Sequence, residues 1–130
     1  MKMKGMGHIA LNTGNFNESL KFYKDILGLE EERTTDWGEF KMTSLLMPDG
    51  GSLEIFDYGM RFERAPSQSS VGYRHVAFLV EDVDEWYRKL VENGIETRGE
   101  PMELPVLGIK GFICIDPDGM DIEIYETLNK

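Results

Sequence analysis

Both histidines of this 130-residue chain sit in matching surroundings. His8 lies in Gly7-His8-Ile9-Ala10-Leu11 and His75 in Arg74-His75-Val76-Ala77-Phe78, an offset of 67 residues. Two glutamates repeat the correspondence. Glu54 ends the run Pro48-Asp49-Gly50-Gly51-Ser52-Leu53-Glu54 and Glu123 ends Pro117-Asp118-Gly119-Met120-Asp121-Ile122-Glu123, an offset of 69 residues. Taken singly, a glutamate between Ile or Leu residues reads as the solvated face of a strand, and a lone strand histidine as a hydrogen-bonded structural residue. Independent decoration of a surface has no reason to place both pairs at equivalent points of a repeat. Two imidazoles and two carboxylates suit Zn²⁺ or Ni²⁺, with Fe²⁺ or Mn²⁺ as alternatives. The lack of thiolate ligands speaks against a closed structural zinc site and for a position left open to water or substrate. The expectation is one divalent metal ion held by His8, Glu54, His75 and Glu123.

An internal repeat constrains the fold more than any single propensity does. After each histidine strand comes a helical pattern. Phe16, Leu20, Tyr23 and Leu27 fall at helical spacing before the stop at Gly28; Val83, Trp86, Tyr87, Leu90 and Val91 do the same before Gly94. Each glutamate strand follows a proline-aspartate-glycine turn. Phe40 to Met47 and Lys110 to Ile115 read as the strands before those turns, with weaker strands at Glu31 to Thr35 and Glu96 to Met102. The fold class is therefore α+β: two βαβββ modules forming a curved mixed sheet around a metal cleft. The modules span roughly residues 4–58 and 72–127 of one domain covering residues 1–130, and the polar, turn-rich stretch 59–71 serves as linker and possible lid.

Strand alternation explains how the four side chains can meet. His8, Ala10 and Asn12 share one face while Ile9 and Leu11 point toward the helix layer. Glu54 looks away from Leu53 and Ile55, and Glu123 away from Ile122 and Ile124. All four ligand-type residues thus lie on helix-free sheet faces. Trp37, Phe40, Met42, Phe56, Tyr58, Met60, Met102 and Leu107 are candidate pocket walls, each also readable as core packing.

Composition narrows the partners. Acidic residues number 24 against 14 Lys plus Arg, a formal charge of −10, and the cations form no basic stripe, which argues against nucleic acid. Apolar runs are far shorter than the roughly 20 residues that span a bilayer, and no signal-peptide core follows Met1. A cytoplasmic protein with a small-molecule substrate and no membrane partner is expected. Cys114, the single cysteine, has the apolar flanks of a small core residue.

These residues resemble the vicinal oxygen chelate superfamily, which includes glyoxalase I, methylmalonyl-CoA epimerase, extradiol dioxygenases, fosfomycin-resistance enzymes and bleomycin-binding proteins. The resemblance covers nearly the whole chain. A histidine on the first strand and a glutamate on the last strand of each module match His8 and Glu54, then His75 and Glu123. Phe22-Tyr23-Lys24-Asp25-Ile26-Leu27-Gly28-Leu29 looks like the family's helix signature, and Asp116-Pro117-Asp118-Gly119 like the approach to its closing strand. The complete His-Glu-His-Glu set is most similar to glyoxalase I (lactoylglutathione lyase), which isomerises a thiol hemithioacetal through proton transfer next to a carbonyl. That likeness implies a metal-dependent lyase or isomerase, with Glu123 as general base, Glu54 as ligand or second base, and a homodimer. Asn12 stands near where glutathione-using members carry an arginine, so the thiol is left open. Other implied activities are epimerisation of a 2-acyl thioester and extradiol ring cleavage; from another class, the chain could be a non-catalytic drug-binding or toxin-binding resistance protein.

Overall fold

Period-two alternation and two proline-aspartate-glycine turns build the same sheet twice. A computed structural model describes residues 1–2, 4–59 and 73–129. The chain divides into two units, Met1–Glu63 and Arg64–Lys130. In the first, β1 (His8–Asn12) leads to α1 (Phe16–Leu20), a π-helical turn (Lys21–Ile26), β2 (Glu30–Asp36), β3 (Lys41–Leu46) and β4 (Ser52–Asp57). In the second, β5 (Val76–Leu79) is followed by α2 (Val83–Glu92), β6 (Met102–Leu104), β7 (Ile109–Ile115) and β8 (Asp121–Thr127). The sheet orders are β1-β4-β3-β2 and β5-β8-β7-β6. In both, the first and last strands pair in parallel and the remaining pairs are antiparallel. Each unit is therefore a βαβββ module, as the repeat implies. The residues 59–71 read as linker fall, from Met60 onward, outside the described residues, as does the candidate wall Met60 itself.

Equivalent local chemistry starts the two helices. Asn15 caps the first, its Oδ1 accepting from the Glu18 backbone N–H at 3.4 Å, and Asp82 caps the second, its Oδ1 accepting from the Glu85 N–H at 3.1 Å. The helix of the second unit packs Val83 and Leu90 into the core, both fully buried, whereas Val91 is exposed. In the first unit the buried stripe is Ser19, Phe22, Tyr23 and Ile26, and the expected anchors Phe16, Leu20 and Leu27 are only half-buried. The π-helical turn is the reason. The Leu27 N–H donates to the Phe22 carbonyl at 2.9 Å, five residues back, so the face turned to the sheet shifts from the one that a uniform 3.6-residue spacing gives.

The two tight turns set the last strands. Gly50 and Gly119 adopt φ of +96° and +85°, a region closed to most side chains, and each turn closes on itself through Met47 N–H to Gly51 carbonyl and Asp116 N–H to Met120 carbonyl, both 2.9 Å. Asp116 adds a buried brace: its Oδ1 accepts from the backbone N–H of Asp118 at 2.9 Å and of Met120 at 2.8 Å. The first turn has Met47 at the equivalent position; its nearest carboxylate, Asp49, the counterpart of Asp118, is exposed and holds the Gly51 N–H at 3.1 Å.

The expected strand from Glu96 to Met102 is split. Thr97 makes an isolated bridge with Cys114, and regular pairing resumes only at β6, where Met102 to Leu104 face Gly111 to Ile109. Gly99, at a φ of +84°, breaks the run between them. Cys114 is fully buried beside Ile122, and burial first, then the nearby Asp116 carboxylate, push its thiol up to about 12.

Two stability outcomes follow from this packing. Phe22→Ala should cost about 3–5 kcal/mol in urea denaturation and Leu20→Ala well under about 2 kcal/mol, the reverse of what the helical-spacing pattern implies. Asp116→Ala, which leaves two part-buried backbone donors without their acceptor, should cost about 1–3 kcal/mol, against about 1 kcal/mol or less for Asp49→Ala.

Candidate metal centre

Parallel pairing fixes where each histidine meets its glutamate. In the first unit Ala10 is the register partner of Glu54, with His8 two residues earlier on the same face. In the second, Ala77 is the partner of Glu123, with His75 two residues earlier and one residue ahead of β5. A small alanine beside each glutamate leaves room for the carboxylate to lean back along the ladder toward the imidazole. His8 Nε2 lies 3.4 Å from Glu54 Oε1, and His75 Nε2 lies 2.9 Å from Glu123 Oε2. The second pair is the more enclosed: the His75 side chain is 28% exposed against 54% for His8, while the two glutamates are alike at 20% and 19%.

The hydrophobic neighbours point the other way. Leu53 and Ile55 flank Glu54 at 2% and 0% exposure, and Ile122 and Ile124 flank Glu123 at 2% and 1%. Each glutamate is thus held by a strand whose alternate residues are locked in the core, an arrangement that fixes its backbone and leaves only its side-chain torsions free. Two ligands about 2.1 Å from a common ion at near-tetrahedral or right angles stand roughly 3.0–3.4 Å apart. The nitrogen-to-oxygen separations within the two pairs are compatible with that bite, so each pair as it stands can act as a two-atom ligand.

Aromatic side chains continue the Glu54 face. Phe56 follows two residues on, and Phe40 stacks with Trp37 at 4.9 Å and with Tyr58 at 4.8 Å between ring centroids. Trp37 and Tyr58 remain about half exposed at 53% and 44%. Of the other walls read from the sequence, Met42 is buried at 7%, whereas Met102 and Leu107 are exposed at 64% and 65%. A cavity of about 320 Å³ in the same unit, lined by Asn15, Phe16, Lys41 and Asp57, belongs to the opposite side of the sheet, because Asp57 shares the face of Leu53 and Ile55 and not that of Glu54.

A different acidic group also converges among the described residues: Asp82, Asp84 and Glu126. Its oxygens already have work. Asp82 caps α2, Glu126 Oε1 accepts the Val83 N–H at 3.2 Å, and Asp84 Oδ2 accepts from Lys110 Nζ at 2.7 Å, a bond that raises the Lys110 pKa. The group is a helix N-terminus with its acidic first turn.

One pair escaped the sequence reading. Arg98 Nε donates to Asp121 Oδ1 at 2.9 Å, and Asp121 is buried at 2%. Reading Glu96 to Met102 as one strand hid it; the signal available was an aspartate two residues before Glu123, on the same face of β8.

The comparisons with known proteins agree with this fold. The sequence pattern of the Glyoxalase/Bleomycin resistance protein/Dioxygenase superfamily matches residues 5–124. The Bacillus subtilis protein YwkD is 32% identical, over 97% of this chain and 99% of its own. A lactoylglutathione lyase of Haemophilus influenzae is 29% identical over 92% of this chain and 90% of its own, and the metallothiol transferase FosB of Staphylococcus haemolyticus 28% identical over 95% and 84%. The crystal structure of a glyoxalase family protein from Enterococcus faecalis superposes with a TM-score of 0.85 at 32% identity, covering 97% of this chain and all of that one. With two βαβββ modules, a histidine and glutamate paired in each, and a family match over nearly its whole length, the chain belongs to the Glyoxalase/Bleomycin resistance protein/Dioxygenase superfamily.

Proposed function

We propose that the chain is a metal-dependent lyase or isomerase of glyoxalase I type, working as one domain of two modules on a small-molecule carbonyl substrate. The observation that carries this reading is the duplicated pair: a histidine nitrogen set 3.4 Å or 2.9 Å from a glutamate oxygen at the same register position of each module. His8, Glu54, His75 and Glu123 would hold one divalent ion, with Zn²⁺ or Ni²⁺ ahead of Fe²⁺ or Mn²⁺ for this nitrogen and oxygen set. Similarity to a lactoylglutathione lyase along most of both chains supports the reaction class.

Bound there, the ion supplies Lewis-acid stabilisation of negative charge that builds on the substrate's carbonyl oxygen. The protein's own groups handle the proton. The Glu123 carboxylate takes it from the carbon beside the carbonyl and delivers it to the neighbouring carbon, so that no net proton is gained or lost. Glu54 serves as ligand or as second base. Phe56, Phe40 and Tyr58, continuing the Glu54 face, supply apolar surface that keeps water from the transferring proton. The site-bearing protein is proposed to be a cytoplasmic homodimer, in keeping with its acidic charge and its lone buried cysteine.

Metal analysis by mass spectrometry after loading with Zn²⁺, Ni²⁺, Fe²⁺ or Mn²⁺ tests the ligand set. Wild type should retain about one ion per chain, and His8→Ala, His75→Ala, Glu54→Ala and Glu123→Ala should each lower retention about ten-fold or more. Retention equal to wild type in all four variants would overturn the ligand assignment. For the reaction, hemithioacetals of several thiols are assayed for thioester formation, and Glu123→Gln should lower kcat by about 10²–10⁴ while the fold persists. Turnover of acyl-CoA epimers or catechols in place of hemithioacetals would move the chain to another branch of the superfamily.

A further inference from the structure

The ladder that aligns each glutamate continues across the sheet to an arginine. In the second unit, Ala77 pairs with Glu123 and Glu123 with Ile113. The Arg98 backbone N–H donates to the Ile113 carbonyl at 2.8 Å, next to the Thr97 bridge to Cys114, so Arg98 extends the same row. In the first unit Ala10 pairs with Glu54, Glu54 with Ser44, and Ser44 with Arg33. Cross-strand partners share a face. Both arginines therefore stand on the face that carries the paired histidine and glutamate of their own unit, two strand spacings or about 10 Å from the glutamate backbone.

Their surroundings leave the charged ends available. Arg98 is tethered through Nε to the buried Asp121, yet its side chain is 53% exposed. That bond engages one edge of the guanidinium and orients the rest. Arg33 reaches the adjacent Glu32 through Nη1 at 3.4 Å and is 65% exposed. The partners differ, a buried aspartate in one unit and a neighbouring surface glutamate in the other, but the row position is the same. A purely structural role in fixing Asp121 explains Arg98 and leaves Arg33 unexplained. Placement on the ligand-bearing face explains both.

We propose that Arg98, with Arg33 as its counterpart, is an anion-recognition residue of this face, and that the substrate carries a carboxylate or phosphate-type group beside its reacting carbonyl. A planar guanidinium held by one edge presents parallel N–H donors with the fork geometry that matches such oxyanions. In a chain of formal charge −10, a positive group is needed at the site to offset repulsion of an anionic substrate. The inference rests on the reading of His75 and Glu123 as the reacting centre, and it names the substrate class for that centre.

The test is a titration of the ¹⁵N-labelled full chain with inorganic phosphate and, separately, acetate. The Arg98 Nε–Hε resonance is followed, assigned by its loss in Arg98→Met, with Arg88 on the exposed side of α2 as the internal control. A saturable shift at Arg98 and none at Arg88 is expected, with phosphate or acetate the stronger according to which oxyanion the site suits. In Arg98→Lys, affinity read from backbone amides of the same face should fall about ten-fold. The double variant Arg98→Met/Asp121→Asn, which leaves no unpaired buried carboxylate, should fold and bind neither anion. No shift at Arg98 with either anion, or equal shifts at Arg98 and Arg88, overturns the proposal. Metal content measured on the same samples separates the two readings. A wild type that takes no metal but still shows the Arg98 shift loses the metalloenzyme reading and keeps the anion site; one that loads metal without the shift does the opposite.

Discussion

Parallel pairing between the first and last strand of each module is the constraint on which everything else in this protein depends. Such a pair cannot be closed by a hairpin. It needs a long crossover, and the chain supplies a helix and two antiparallel strands between β1 and β4, and again between β5 and β8. Register then decides function. With Ala10 opposite Glu54 and Ala77 opposite Glu123, imidazole and carboxylate fall on one face within reach of each other. A slip by one residue would send both glutamates into the core and expose Leu53, Ile55, Ile122 and Ile124. The apolar cost of that slip is what keeps the polar pairs where they are.

Those opposing demands meet at single strands. Ile55 and Ile124, at 0% and 1% exposure, anchor the same backbone that holds Glu54 and Glu123 partly exposed on the other face. Turn chemistry adds a second clamp. Gly50 and Gly119 let the chain reverse tightly just before each glutamate strand, and the buried Asp116 braces the second turn with two part-buried hydrogen bonds. The greater enclosure and shorter separation of the His75 and Glu123 pair accompany that better-braced turn. Preorganisation of this kind suits a proton-transferring carboxylate, whose efficiency depends on being held at the right place before the substrate arrives.

Much of this was legible in the sequence because it is written twice. The matches around His8 and His75, and around Glu54 and Glu123, carry the element order, the faces on which each histidine meets its glutamate and the family resemblance. What was not legible depends on events that leave no periodic trace. The π-helical turn at Lys21–Ile26 re-aims a helix face without changing residue types, so Leu20 and Leu27 looked like anchors while Phe22 and Ile26 took the core. The break between Thr97 and β6 depends on the positive φ of Gly99, one glycine in a stretch otherwise readable as a weak strand. Arg33 and Arg98 gave no signal either, since 65 residues separate them against 67 for the histidines, and only the cross-strand register shows that they occupy the same row.

The central claim is that the two histidine and glutamate pairs serve one ion. X-ray absorption spectroscopy of the zinc-loaded protein tests it most directly, because imidazole rings give a characteristic multiple-scattering signature that counts them. The account predicts two imidazoles with oxygen ligands completing the sphere at about 2.0–2.2 Å and no sulfur. A spectrum with one imidazole or none, or with a sulfur ligand at about 2.3 Å, would contradict it.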